Sequence, residues 1–290
     1  MRVNAYLLAA DPTWIEPSVR SYYGVVEKIF VSYDRDKIGW TGAPIAADEC
    51  IERIRAIDVD RKVRLVEGSF FRKDSSPMEN DTAQRQHALT EAGKDADWVV
   101  ELDTDEVMPD APYFVDRLRE VPPDREACMW PMRVMFKQLS ATSFLEVSTR
   151  GRTPYSEYPG PVACRPGVKL IAARRSSGPQ WRHGIRYGWW DYLVRPTIRP
   201  DALIEPGKAV LHFSWARNDD EIRRKLSSWS HARDFDREAY LNDVWRASES
   251  RWRSLRNFHP VQPALWPALR IVDLPPALCA RPTKAPGKDV

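Results

Sequence analysis

Three carboxylates, Asp103, Asp105 and Glu106, fall within four residues of one another in the stretch Asp97 to Pro109, DWVVELDTDEVMP. Like charges this close repel. At the end of a buried segment they are tolerable mainly if something positive neutralises them. A hard divalent cation with oxygen ligands does so, and Mg²⁺ typically takes one or two carboxylates and completes its shell with substrate phosphates. Trp98, Val99, Val100 and Leu102, just upstream, form a short apolar run that predicts a buried strand of a parallel sheet. In open α/β sheets ligands bind beyond the carboxyl ends of the strands, where this cluster would lie. The same residues would also suit an acidic turn capping the next helix; the strand fused to them favours the ligand-binding reading.

The elements before the cluster must build that sheet. Val3 to Ala10 reads as a first strand closed by Asp11-Pro12, and Glu16-Pro17 opens a helix that runs to Tyr23. Residues 25–31 predict a second strand ending in Ser32-Tyr33-Asp34-Arg35-Asp36, residues 46–56 a helix and 63–66 a third strand. Residues 81–92 predict a helix with Asp81 as N-cap and Gln84 three residues on. This alternation predicts a Rossmann-like, mainly parallel sheet flanked by helices. Asp34 and Asp36 then share the sheet edge with Asp103. Arg85, on one helix face with Leu89 and Ala92, points into the same crevice. Turn formation for the two aspartates and surface ion pairing for the arginine are the plain alternatives. Neither a GxGxxG pattern nor a P-loop follows the first strand, which argues against a dinucleotide site.

Composition narrows the class. The 290 residues are 43% hydrophobic, enough for a sizeable core in one large or two coupled domains. A net charge of +3 argues against a dedicated nucleic-acid binder. The four cysteines, Cys50, Cys128, Cys164 and Cys279, show no CxxC spacing, which speaks against a zinc site or a disulfide framework and for a reducing compartment. No apolar stretch approaches a membrane span. A cytoplasmic location is expected, with peripheral contact at the inner face of the membrane as an option.

The second half differs in character after Pro122-Pro123. Strands are expected at 129–136 and 144–149. From Cys164 to Arg199 eight Lys or Arg stand against one acid, Asp191, interleaved with Trp181, Tyr187, Trp189, Trp190 and Tyr192. Aromatic faces stack on sugars, and guanidinium groups suit phosphate or carboxylate. Trp181, Arg186, Trp189 and Trp190 are therefore candidate acceptor-binding residues. A lone carboxylate among cations stays ionised, which makes Asp191 a candidate general base. His212 lies in the short strand VLHFSW, as a packed histidine or as a metal ligand of the kind that suits Mn²⁺. Asn218 and Glu221 predict a capped helix with Ile222, Leu226 and Trp229 on its buried stripe and Lys225 off it. A last helix is expected over 239–258, followed by an irregular Pro-rich tail. Trp245, Trp252 and Trp266 with nearby arginines offer a membrane-surface contact, against packing onto the main domain.

The stretch WVVELDTDEVMP, preceded by a helix reading AQRQHAL and by an Asp ending the second strand, resembles the GT-A fold glycosyltransferases of the family 2 type. VLHFSWARNDDEIRRKLSSW resembles a later segment of bacterial relatives. The resemblance implies a nucleotide-sugar-binding half (1–122), an acceptor-binding half completing the GT-A domain (123–235), and a C-terminal helix and tail (236–290). It implies nucleotide-sugar contacts from Asp34, Asp36, Arg85, Asp103 and Thr104, and a Mn²⁺ or Mg²⁺ ion on Asp103, Asp105 and His212. The activity implied is metal-dependent, inverting transfer from a nucleotide sugar, UDP-linked by expectation, to a glycan or glycolipid that the basic segment suggests is anionic. Departures are the first-strand sequence AADPTWIEP and the lack of an Asp/Glu pair where relatives place the base. A sugar nucleotidyltransferase, or a glycan-binding module on an inactive GT-A scaffold, are the competing readings. A haloacid-dehalogenase-like phosphatase is disfavoured because Val107 breaks its motif.

Overall fold

A computed structural model describes residues 1–149, 151–186, 201–229, 231 and 234–281. Four strands, β1 (Val3–Leu8), β2 (Ile29–Asp34), β3 (Val63–Gly68) and β4 (Trp98–Glu101), pair in parallel in the order β3-β2-β1-β4. Helices α1 (Ile15–Tyr23), α2 (Ala47–Ile57) and α3 (Pro77–Gly93) connect them, as the alternation predicts. Both faces are covered: Val3, Ala5, Leu7 and Val100 enter one core cluster, Tyr6, Leu8 and Val99 another. That is why β1 and β4 are mainly apolar and not alternating, with Asn4 and Glu101 as their buried polar residues.

The chain continues through β5 (Glu106–Val107), α4 (Ala111–Arg119), β6 (Ala127–Met129), β7 (Met132–Gln138), β8 (Ser143–Thr149), β9 (Thr153–Pro154) and β10 (Ala163–Cys164). Then come β11 (Leu170–Ala172), β12 (Arg175–Ser176), β13 (Gln180–Ile185), β14 (Ala202–Ile204), β15 (Val210–His212) and α5 (Asp219–Ser228). Strands β6, β10, β13 and β14 extend the first sheet past β4, so it spans the Pro122-Pro123 seam, and β10 runs antiparallel to both its neighbours. A second sheet has the order β16-β8-β7-β15-β5, with β16 at Ala268–Asp273.

Three expectations are corrected. Helix α3 starts earlier than predicted: Ser76 caps it, Glu79 returns the bond to the Ser76 backbone, and Pro77 occupies the first turn. This box satisfies two otherwise orphaned donors; Asp81 is free to pair within the helix. The single last helix is instead α6 (Arg237–Tyr240), a wider π-type turn over Leu241–Arg246, and α7 (Ser248–Arg251). The tail is not irregular throughout, because β16 pairs with β8 from Ala268–Ser148 to Asp273–Ser143 and covers what would be an open sheet edge. The short helix α8 (Pro276–Cys279) follows.

Trp245 and Trp266 are buried in an aromatic core with Phe136, Trp215, Tyr240 and Phe258, and half-buried Trp252 packs against it. These rings pack onto the body of the protein, so two of the three tryptophans considered for a membrane contact have no free face. Among the described residues no helix is long and apolar enough to cross a membrane.

Helix α5 is capped as the sequence predicts: the Asn218 side chain accepts from Glu221 N–H, and Glu221 accepts from Asn218 N–H. Asn218→Ala should cost about 1 kcal/mol. Thermal unfolding checks this, and an unchanged midpoint would contradict it.

Candidate active site

Strand β4 ends at Glu101 and β5 begins at Glu106, so residues 102–105 carry the chain from the first sheet into the second. The step is a closed turn. Glu106 N–H donates to the Asp103 carbonyl (3.0 Å) and Asp103 N–H to Glu106 Oε2 (3.0 Å). Ser18 of α1 donates its hydroxyl to the same carbonyl (3.0 Å).

Asp103 is held by two arginines. Arg85 on α3 donates Nη1 to Oδ1 (2.9 Å) and Nη2 to Oδ2 (3.0 Å), while its Nε donates to Asp81 (2.7 Å). Arg174, from the turn between β11 and β12, donates Nη2 to Asp103 Oδ2 (2.9 Å) and engages both oxygens of fully buried Glu106. Arg174 reaches this position because Gly160 lies against its stem: a Cβ there would stand 2.3 Å from Arg174 Cγ. Ala173, with φ of 49°, turns the hairpin.

Asp105 is held by a different set. Arg217 donates Nη2 to Oδ2 (2.8 Å) and Nη1 to Asp11 Oδ2 (2.6 Å); Lys225 of α5 donates Nζ to Asp105 Oδ2 (2.8 Å). Antiparallel pairing of β15 with β5 sets His212 opposite Glu106. His212 Nε2 lies 3.7 Å from Asp105 Oδ1, and its Nδ1 lies 3.7 Å from a Glu157 oxygen.

Burial alone would raise the carboxyl pKa values of this turn. Arg85 and Arg174 outweigh it at Asp103, and Lys225, His212 and Arg217 outweigh it at Asp105, so both are held well below the usual carboxylate range. Burial disfavours the charged His212 imidazole, yet Glu157, Asp105 and Glu106 together raise its pKa. Desolvation lifts Asp81 and Glu101. For Asp105 the folded pKa lies below the unfolded one, so its contribution to stability is present above the unfolded value and is lost as pH falls toward the folded one. Asp105→Asn should therefore lose less stability than wild type between about pH 5 and about pH 3. Parallel acid-unfolding curves would contradict this.

Arg85, Arg174, Arg217 and Lys225 face the clustered carboxylates and neutralise them from within the chain. Among the described residues, no group of three or more His, Cys, Asp or Glu is arranged to hold a metal ion. Asp103 is the more heavily engaged of the two aspartates, since its oxygens already accept three bonds from Arg85 and Arg174. Asp105 Oδ1 and His212 Nε2 fit a metal ion, since donors 3.7 Å apart can share one ion with bonds of about 2.1 Å. Glu157 lies behind the imidazole at 3.7 Å, beyond hydrogen-bond distance, and among the described residues His212 Nδ1 has no hydrogen-bond partner.

The remaining predicted residues are scattered. Asp34 is buried and organises its loop: Oδ1 accepts from Asp36 N–H (3.0 Å) and Oδ2 from Phe70 N–H (2.7 Å), while Asp36 is exposed. Thr104 is buried in the turn. Trp181 is half-buried and packs against the core of the large sheet, three strands along from β4. Arg186 is exposed. Trp189, Trp190 and Asp191 lie outside the described residues. Sequence reasoning missed Asp11, Arg217 and Glu157, and it left Lys225 without a role. Its one signal was Lys225 standing off the buried stripe of α5.

No protein-family model and no curated protein matches the chain. Solved structures do. A galactosyltransferase LgtC in complex with donor and acceptor sugar analogs is 12% identical, with a TM-score of 0.39, over 81% of this chain and 98% of that one. Residues 1–349 of S. aureus TarS are 10% identical, with a TM-score of 0.35, over 86% and 77%. A 4-diphosphocytidyl-2C-methyl-D-erythritol synthase from Anaerococcus prevotii is 12% identical, with a TM-score of 0.37, over 77% and 96%. The structures similar to this chain thus include a galactosyltransferase and a 4-diphosphocytidyl-2C-methyl-D-erythritol synthase, and TM-scores this low carry no functional argument.

Proposed function

We propose that this chain is a metal-dependent, inverting glycosyltransferase that moves a sugar from a nucleotide-sugar donor, UDP-linked by our reading, to a hydroxyl of a glycan or glycolipid. The observation that supports it most is Asp105 at the carboxyl edge of the sheet. One of its oxygens is tied to Arg217 and Lys225, and the other faces His212. Held by Asp105 and His212, a Mn²⁺ or Mg²⁺ ion would neutralise charge developing on a departing diphosphate. Lys225, partly exposed on a flexible stem, can donate to the same phosphates. Arg85 and Asp103, with Asp34 ordering the neighbouring loop, shape the nucleoside side. The acceptor oxygen bonds to the anomeric carbon from the face opposite the diphosphate. The bond to the diphosphate breaks with its electron pair, and the hydroxyl proton passes to a base. Asp191 is our assignment for that base on sequence grounds. An anionic acceptor would meet exposed Arg175 and Arg186, since Arg174 is buried and committed.

The test is thermal stability of the wild type with ADP, CDP, GDP and UDP and with the corresponding triphosphates, each with and without MnCl₂. Stabilisation by one diphosphate that requires Mn²⁺ is expected. Stabilisation by a nucleoside triphosphate alone would point to nucleotidyl transfer instead, and no response to any nucleotide would overturn the reading.

A further inference from the structure

Arg217 is buried, and every nitrogen of its guanidinium is committed. Nε donates to the Ser214 carbonyl (2.8 Å), Nη1 to Asp11 (2.6 Å) and Nη2 to Asp105 (2.8 Å). Asp11 follows β1, and Asp105 follows β4. The two are joined by a residue from the connection after β15. A guanidinium is planar and rigid, so it holds its partners in a fixed fork. Lys225 shares Asp105 Oδ2, but its side chain keeps 17% of its exposure against 1% for Arg217. The lysine can leave Asp105 for a phosphate; the arginine cannot.

The loop after β1 and the connection after β15 meet again at Trp14. Its indole N–H donates to the Ala216 carbonyl (3.0 Å), and its ring stacks on Phe213 at 4.2 Å. Arg281 covers the other side at 4.4 Å and pairs with Glu221. Phe213 N–H donates to the Asp105 carbonyl (2.8 Å). Residues 11–14 and 213–217 therefore form one packed unit that grips Asp105 by backbone and by side chain.

We infer that Arg217 is a positioning residue for donor binding. By bridging Asp11 and Asp105 it orients the Asp105 carboxylate so that Oδ1 stays open toward His212, and it couples the loop after β1 to that orientation. This rests on the transferase reading above. Arg217 touches neither metal nor nucleotide; it acts through Asp105.

The experiment is calorimetric titration with whichever of ADP, CDP, GDP and UDP the wild type binds most tightly, with and without MnCl₂. The proteins are wild type, Arg217→Lys, Asp11→Asn and the double variant. Lysine keeps the charge but has no fork. The gain in affinity conferred by Mn²⁺ should fall about tenfold or more in each single variant, and the double variant should fall no further than the worse single one. A merely structural role would weaken binding equally with and without Mn²⁺. An unchanged ratio, or additive losses, overturns the inference. If Arg217→Lys does not fold, Asp11→Asn carries the same comparison, and an unchanged ratio in that variant overturns the inference. A wild type whose nucleotide binding ignores Mn²⁺ overturns the metal-dependent reading and the inference with it, and it does so before any variant is made.

Discussion

Arg174→Ala should unfold far more easily than wild type, by about 3–5 kcal/mol, the usual consequence of removing one partner from a buried ion pair. The arginine lies almost wholly inside the protein, where it engages both oxygens of fully buried Glu106, one oxygen of Asp103 and the Glu101 carbonyl. Without it, Glu106 is left buried without its bidentate partner, and the β11–β12 hairpin loses its anchor over the strand ends. In a protein of this size the midpoint should drop by roughly 6–10 °C. The neighbouring Arg175 is exposed, and Arg175→Ala should change stability by no more than about 0.5 kcal/mol. Adding Glu106→Gln to Arg174→Ala should recover part of the loss, because the uncompensated charge is then gone. Equal midpoints for Arg174→Ala and Arg175→Ala would show that the buried network carries no stability. Arg174 is thus part of the frame of the site, unlike the exposed arginines of its segment that remain candidates for acceptor binding.

Asp105→Ala is the second large effect, and it should be read in nucleotide binding. A ligand at about 100 times its dissociation constant stabilises the wild type by roughly 2.7 kcal/mol. In the variant the part of that stabilisation that needs Mn²⁺ should vanish, and turnover should fall by about a thousandfold. The variant will also be less stable without ligand, because Arg217 and Lys225 lose their shared partner. The informative comparison is therefore the Mn²⁺-dependent increment and not the midpoint itself. Asp103→Asn supplies the contrast. Its oxygens are spent on Arg85 and Arg174, so it should lose stability and keep the Mn²⁺ increment. If Asp103→Asn abolishes the increment and Asp105→Ala does not, the assignment of the two aspartates is reversed.

The sequence alone determined the Rossmann-like order of strands and helices, the buried strand before the carboxylate turn, the cap of α5 and the placing of Arg85 toward the crevice at the strand ends. Each is a local pattern: an apolar run, a capping box, a helix face four residues deep. It also picked out His212, though only as a lone histidine with two readings. Tertiary structure decided what neutralises the carboxylates. Arg217 reaches Asp11 across 206 positions of sequence, Lys225 reaches Asp105 across 120, and Arg174 reaches Glu106 across 68. An arginine on a polar stretch reads as a solvated surface charge. Whether it is instead folded inward depends on which strands pair, and β15 meets β5 only once the second sheet closes. The tail followed the same rule: its prolines predict irregular chain, yet the open edge of β8 had six residues of backbone to pair, and β16 filled it. Periodicity reports which face of an element is buried, whereas the ion pairs of this site depend on contacts between elements far apart in the chain, which no local pattern encodes.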